Sequence, residues 1–166
     1  VTLLRQLGIQ PRDLGVAVDE RKLIRQKLEE AAHAEVILIS GGVSVGEHDL
    51  VKRILRELGM DTLFWRVNMK PGKPLLFGRW QHRVIFGLPG NPISCVVCFL
   101  EFIAPYLRHV MGDSDSFNHV MHARLTQPLR KKDFKTLLLT AQLRGEGERL
   151  VVTPTPQQGS GMLASL

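Results

Sequence analysis

Helix-like and strand-like patterns alternate through the amino-terminal part of the sequence, and that alternation predicts an α/β fold: a three-layer α/β/α sandwich around a mostly parallel sheet. Two observations carry the expectation. Glu35-Val36-Ile37-Leu38-Ile39-Ser40 is a continuous apolar run, as expected of a strand buried on both faces. The stretches on either side place their apolar residues at helical spacing, as does a long segment beginning near Pro92.

In chain order, Leu3, Leu4 and Leu7 before Gly8 read as the last turns of a helix closed by a glycine. Leu14-Gly15-Val16-Ala17-Val18 is a short strand candidate. Asp19 can cap a helix whose stripe is Leu23, Ile24, Leu28, Ala31 and Ala32. After the buried strand comes a glycine-rich loop, then a helix with Leu50, Val51, Ile54, Leu55 and Leu58 on one face and Gly59 at its end. Thr62 to Met69 alternates as a strand, and Leu75 to Phe77 pairs with Val84 to Phe86 through a polar turn at Arg79–Arg83. The long helix enters at Pro92. Its stripe is Ile93, Val96, Val97, Leu100, Ile103, Ala104, Leu107, Val110 and Met111, with a kink expected at Pro105. Gly112-Asp113-Ser114-Asp115-Ser116 reads as a linker dividing residues 1–112 from 113–166. Beyond it, Asn118–Leu125, Phe134–Leu143 and Leu150–Pro154 read as the short strands of a small, incomplete β domain.

Hydrophobic content of 44% with 23% charged residues is globular rather than disordered composition. A net charge of +6 points to anionic partners. With one Tyr and two Trp, and no basic run interleaved with aromatics, a base-stacking platform for nucleic acid is not expected; Arg130-Lys131-Lys132 reads as a solvated basic loop. No run of about 18 apolar residues is present, so no membrane span is expected, and two cysteines are too few for a disulfide scaffold, so a cytoplasmic protein is expected. Val1-Thr2-Leu3-Leu4-Arg5 has neither an initiator Met nor a secretory signal and reads as the start of a cut chain.

Three loops can carry chemistry, each following a strand, where open α/β sheets bind ligands. The first is Ser40-Gly41-Gly42-Val43-Ser44-Val45-Gly46-Glu47-His48-Asp49. Its small residues can turn several N–H groups toward an anion. Asp49 can cap the next helix or hold a cation such as Mg²⁺. The loop matches neither the dinucleotide nor the P-loop fingerprint. The second, Met69-Lys70-Pro71-Gly72-Lys73-Pro74, is either a stiff turn presenting two ammonium groups to an oxyanion or a surface turn with solvated lysines. The third, Gly87-Leu88-Pro89-Gly90-Asn91-Pro92-Ile93-Ser94, is a helix entry whose free N–H groups can form an anion site. Cys95-Val96-Val97-Cys98 lies in an apolar stripe and reads as a pair of buried structural cysteines rather than a redox or zinc motif.

In this order, SGGVSVGEHD (40–49), MKPGKPLLFG (69–78), FGLPGNPIS (86–94) and QGSGML (158–163) resemble the molybdopterin molybdenumtransferases, the family that includes the related domain of gephyrin. The resemblance implies a pterin-binding α/β domain followed by part of a carboxy-terminal β domain. It implies insertion of molybdate into adenylated molybdopterin, with Mg²⁺ and release of AMP, in a homodimer. By position, Asp49 is then the acidic residue near the metal or adenylate, and Lys70 and Lys73 contact anionic ligand. Gly41, Gly42, Ser44 and Gly46 bring backbone against the pterin phosphate. Pro89, Asn91 and Pro92 shape the molybdate pocket, approached by Ser160 from the β domain.

Members of the family open this domain with a strand ending in an acidic turn, then a helix. This chain starts inside that helix, so the first strand is expected to be missing, together with two amino-terminal domains and the end of the β domain. The whole enzyme's activity is then expected to need more than these residues. Two rivals stand beside this reading. One is a molybdopterin adenylyltransferase, which would lack the appended β segment. The other is a non-catalytic, peptide-binding or dimerising scaffold module as in gephyrin.

Overall fold

Five consecutive residue pairs, Val36↔Val84 through Ser40↔Leu88, join two parallel strands at the centre of the molecule. The computed structural model describes residues 1–43, 50–131, 134–147 and 149–156. Its elements are α1 (Thr2–Gln6), α2 (Arg21–Glu30), β1 (Val36–Ser40), α3 (Leu50–Glu57), β2 (Asp61–Trp65), β3 (Met69–Lys70), β4 (Leu76–Trp80), β5 (Arg83–Leu88), α4 (Pro92–Cys98), a π-helical turn (Phe99–Ile103), α5 (Ala104–Val110), β6 (Arg124–Leu125), β7 (Thr136–Leu137), β8 (Ala141–Glu146) and β9 (Arg149–Pro154). The main sheet has the order β1-β5-β4-β2.

Both faces of this sheet are covered, which gives the three layers the sequence predicts. On one face Ile24 and Leu28 of α2 and Val51, Ile54 and Leu55 of α3 pack with Ile37, Leu76, Trp80 and Ile85. On the other, Phe99, Ile103, Ala104 and Leu107 pack with Phe86 and Leu88, with Leu3, Leu4 and Leu7 of α1 against them. The alternation of side chains along a strand explains the partition: Ile85 serves one layer and its neighbour Phe86 the other. Burying a residue such as Ile85, fully enclosed here, stabilises the fold by about 1.5–3 kcal/mol relative to leaving it in water. Phe64, Phe77, Phe86 and Tyr106 run as an aromatic row from β2 across the sheet to α5, with centroid separations of 5.2, 4.8 and 5.4 Å.

The structure corrects several expectations. The sheet is mixed rather than mostly parallel: β1 and β5 are parallel, but β5–β4 and β4–β2 are antiparallel. The cause is the hairpin between β4 and β5, whose strands run on to the pair Trp80↔Arg83 and leave only Gln81 and His82 in the turn. Arg83 is therefore not a turn residue. It is 9% exposed and donates Nε–H to the Ala32 carbonyl at 2.6 Å, its guanidinium lying over the Trp80 ring. The expected strand at Leu14–Val18 does not form. Gly15 donates its N–H to the Asp13 side chain, Val16 and Val18 are 93% and 65% exposed, and β propensity without a neighbouring strand does not make a strand. Glu20, not Asp19, is the N-cap of α2. The strand expected over Thr62–Met69 stops at Trp65, because Arg66 turns to φ +84° and its N–H goes to the Leu75 carbonyl.

The long helix also departs from strict periodicity. Pro105 has no N–H to donate and crowds the preceding turn, and a π-helical turn at Phe99–Ile103 accommodates it. The extra residue rotates the stripe: Cys98 and Phe99 are buried, while Leu100 and Val110, expected inside, are 41% and 57% exposed. By length and composition Pro92–Val110 is apolar enough to cross a bilayer, contrary to the expectation of no such segment. Its buried face against the sheet is that of a core helix.

Beyond Gly112 the strand expected at Leu150–Pro154 forms as β9, whereas the two expected before it are cut down to β6 and to the separate β7 and β8. β8 and β9 form an antiparallel hairpin with β6 parallel to β9, and Val151 is the hydrophobic residue this sheet buries most deeply, at 3% exposed. β7 leaves it to pair with β3, Met69↔Thr136 and Lys70↔Leu137.

Two glycines in strands separate close approach from open space. A Cβ on Gly78 would stand 2.4 Å from the Asp61 carbonyl oxygen and 2.2 Å from the Met60 methyl, whereas one on Gly145 meets nothing within 4 Å. Gly78→Ala is expected to destabilise the chain by about 1–3 kcal/mol through overpacking, and Gly145→Ala to leave stability within about 0.5 kcal/mol. Urea unfolding midpoints of the two variants check the contrast.

Candidate functional site

The pairing of β1 with β5 does not end with the strands. Gly41 N–H donates to the Leu88 carbonyl at 3.0 Å, so the first and third loops leave the sheet side by side. They stay close, since a Cβ on Gly90 would lie 3.7 Å from the Gly41 Cα. Gly42 is held against α3, where a Cβ would stand 2.5 Å from the Val51 Cγ2; this close contact, together with φ +67°, calls for glycine. Gly41 and Gly42, expected to bring bare backbone to a ligand, thus form a close-packed turn beside the third loop, with the Gly41 N–H taken by the Leu88 carbonyl. Ser44, Gly46 and Asp49 lie outside the described residues, as does Ser160.

The third loop ends in a well-built helix start. Asn91 is the N-cap of α4, its Oδ1 accepting from Ser94 N–H at 3.1 Å, and Pro92 occupies the first turn. Pro89 is buried and Pro92 exposed. The first loop touches this helix too: Ser40 Oγ and Cys95 Sγ are 3.9 Å apart.

The second loop reaches the same helix from another side. Gly72 is buried with φ +100°, and a Cβ there would stand 2.9 Å from Cys98 Sγ and 3.8 Å from the Ser94 carbonyl oxygen. The Lys70–Pro71 bond is cis. The Lys73 carbonyl accepts from Val67 N–H at 2.9 Å and from Leu75 N–H at 3.0 Å, which folds the loop back on itself. Lys70 and Lys73 are both exposed, and among the described residues neither ammonium enters an ion pair. Gly41, Gly42, Pro89, Asn91 and Pro92 thus belong to two adjoining loops, and α4 connects them to the loop of Lys70 and Lys73. Such an arrangement offers a helix start and two exposed ammonium groups to an anion.

No three His, Cys, Asp or Glu side chains among the described residues converge as a metal set. A depression of about 250 Å³ lies elsewhere, lined by Arg108, Asp113, Asp115, Phe117, Asn118 and His119. Sequence reading missed how the lysine loop is anchored. Thr136 N–H donates to the Asn68 carbonyl and Leu138 N–H to the Lys70 carbonyl, both at 2.9 Å. Nothing local in the sequence signals a pairing between residues so far apart.

Comparison with known proteins bears on these loops. Residues 1–109 match a family described as "Probable molybdopterin binding domain". The chain is 32% identical over 139 residues to the molybdopterin molybdenumtransferase of Haemophilus influenzae, covering 80% of this chain and 34% of that protein. Against the Bacillus subtilis protein of the same name it is 30% identical over 162 residues, 97% of this chain and 38% of the relative. It is 37% identical to gephyrin of Dictyostelium discoideum over 116 residues, 60% of this chain and 16% of that one. The crystal structure of a molybdopterin biosynthesis protein from Pyrococcus horikosii superposes with a TM-score of 0.76 at 28% identity, over 99% of this chain and 39% of the other. The chain therefore spans little more than a third of the two molybdenumtransferases.

The cysteines are free; Cys98 is fully buried, as expected from the sequence, but Cys95, expected to be buried with it, is partly exposed. Burial, with a smaller contribution from Cys95, pushes the Cys98 thiol from the ordinary 9.0 up to about 12. The folded state therefore holds its proton where the unfolded chain would release it. This contribution to stability is complete below the unfolded value and is lost as pH rises through the folded one. Between pH 9.0 and 12 the urea midpoint of the wild-type chain is expected to fall more steeply than that of Cys98→Ala, and parallel slopes would contradict it.

Proposed function

The chain belongs to the molybdopterin-binding domain family, and from that premise we propose that it is the ligand-binding part of a molybdopterin molybdenumtransferase, which inserts molybdate into adenylated molybdopterin and releases AMP. One observation carries the reading: Ser40 meets Cys95, Gly72 packs on Cys98, and Asn91 caps the same α4, so that three anion-suited loops share one helix. Every reactant in the proposed transfer is an anion, and the loops supply lysines, N–H groups and a helix start.

In this proposal Gly41 and Gly42, with Ser44 and Gly46, receive the pterin phosphate. Lys70 and Lys73 neutralise phosphate and molybdate, and Pro89, Asn91 and Pro92 wall the oxyanion pocket that Ser160 approaches. Holding the two anions together against their repulsion is the catalytic contribution asked of these residues, and no covalent nucleophile is required. Mg²⁺ would be held by Asp49 together with ligand oxygens, and it would offset phosphate charge. The described residues contain no acidic cluster for it, so no step is assigned to the metal.

The reach of the similarity favours this reading over an adenylyltransferase. The family match ends at residue 109, but the similarity to the B. subtilis transferase covers 97% of the chain and so takes in the β segment as well. A cytoplasmic homodimer completes the proposal, with exposed apolar residues concentrated at Val110, Met111, Phe117, Val120 and Met121 available for such a contact.

Calorimetric titration of adenylated molybdopterin into the chain at low salt tests the reading. Lys70→Ala, Lys73→Ala and Asp49→Ala are each expected to weaken binding by about 1–3 kcal/mol, as loss of a charged hydrogen bond does, and the difference should shrink as salt is raised. Wild-type affinity in both lysine variants would move the ligand away from these loops.

A further inference from the structure

The lysine loop is held from two sides. On one, the backbone of β7 takes the Asn68 and Lys70 carbonyls. On the other stands Cys98, whose Sγ–H donates to the Gly72 carbonyl at 3.4 Å across 26 positions of sequence. The contact is tight as well as polar. Cys98 is fully buried, and the space that a Cβ on Gly72 would need is taken by Cys98 Sγ and by the Met69 methyl, at 2.9 and 2.3 Å. Cys98 also sits on the helix that Asn91 caps, roughly two turns further along. One rigid element thus grips the loop of Asn91 and Pro92 at its first turn and the loop of Lys70 and Lys73 at its last.

We infer that Cys98 is a positioning residue: by holding the Gly72 carbonyl it sets where Lys70 and Lys73 stand relative to the Asn91–Pro92 helix start, so that the two loops present one anion site. The inference rests on the function proposed above. Cys98 itself touches no ligand. The thiol is protonated and therefore a donor at neutral pH, and the turn from Lys70 to Lys73 is only four residues long, so that fixing one carbonyl restrains the backbone that carries both lysines.

Two measurements on the full chain test it. Cys98→Ser keeps a donor in nearly the same volume, and Cys98→Ala removes it. Amide hydrogen exchange is followed at Val67 and Leu75, whose N–H groups bond to the Lys73 carbonyl, with the Ile85 amide in the core sheet reporting global stability. Relative to Ile85, exchange at the two loop amides is expected to speed about threefold in Cys98→Ala, through loss of the thiol's weak hydrogen bond and its packing on Gly72, and to return toward wild type in Cys98→Ser. Unchanged exchange in Cys98→Ala overturns the inference whatever the ligand does. The second measurement is the affinity for adenylated molybdopterin in a cycle with Lys73→Ala. Cys98→Ala should weaken binding about threefold to tenfold when Lys73 is present and hardly at all when it is absent. An equal loss in both backgrounds would assign the effect to general packing and overturn the inference. Failure of the folded wild-type chain to bind at all would sink the proposed function, and the exchange comparison would still decide whether Cys98 holds the loop.

Discussion

The parallel ladder between β1 and β5 is the constraint on which the rest depends. Strands Val36–Ser40 and Arg83–Leu88 run the same way, so their carboxyl ends lie together, and the chain leaves both at one edge of the sheet. The ladder's continuation from Gly41 to Leu88 then makes neighbours of a glycine loop and a helix entry that are far apart in sequence. Had the two strands been antiparallel, the loops would have emerged at opposite edges. The antiparallel hairpin of β4 and β5 serves a different end. It returns the chain quickly from the lysine loop to the central strand, with Trp80 and Arg83 stacked at its turn.

Two unlike cores hold this ladder in place. One lies under α2 and α3 and is aliphatic apart from Met60, Trp65 and Trp80. The other, under α1 and the long helix, contains the aromatic row and both cysteines. The candidate site draws on both: Met69, Leu75, Leu88 and Cys98 of the second core root the second and third loops or lie beneath them, while the first loop is anchored in the first core through Val43. Lys70 and Lys73 of the candidate site are thus exposed, while the segments that carry them are anchored in close-packed apolar contact. Pairing of β3 with β7 extends the same anchoring into the carboxy-terminal strands.

Much of this was legible in the sequence because it is local. The apolar run at Glu35–Ser40, the cap at Asn91 with Pro92 behind it, and the turn-forming Gly8 and Gly59 each declare themselves within a few residues, and each is found. The candidate loops were also visible, as clusters of Gly and Pro after strands. What failed was non-local. Leu14–Val18 has strand composition, but a strand exists only against a partner. The hairpin of β4 and β5 was local and legible, but the pairing of β7 with β3 joins segments far apart, and no short window of sequence contains both. The stripe of the long helix failed at Leu100 for another reason: constant periodicity was assumed through a proline that the helix accommodates with a wider turn. Ser44, Gly46, Asp49 and Ser160 fall outside the described residues, so the site expected from sequence is seen here through its lysine, proline and glycine members.

That wider turn at Phe99–Ile103 has a geometric consequence. A π-helical turn is, in effect, one residue inserted into an otherwise regular helix, and it divides Pro92–Val110 into two halves that no longer share a phase. The amino-terminal half answers to the loops it grips, through Asn91, Ser94 and Cys98. The other half answers to the sheet, through Ile103, Ala104 and Leu107. One continuous apolar segment can therefore turn two differently phased faces inward, one toward the loops and one toward the sheet, while both remain packed in a single core.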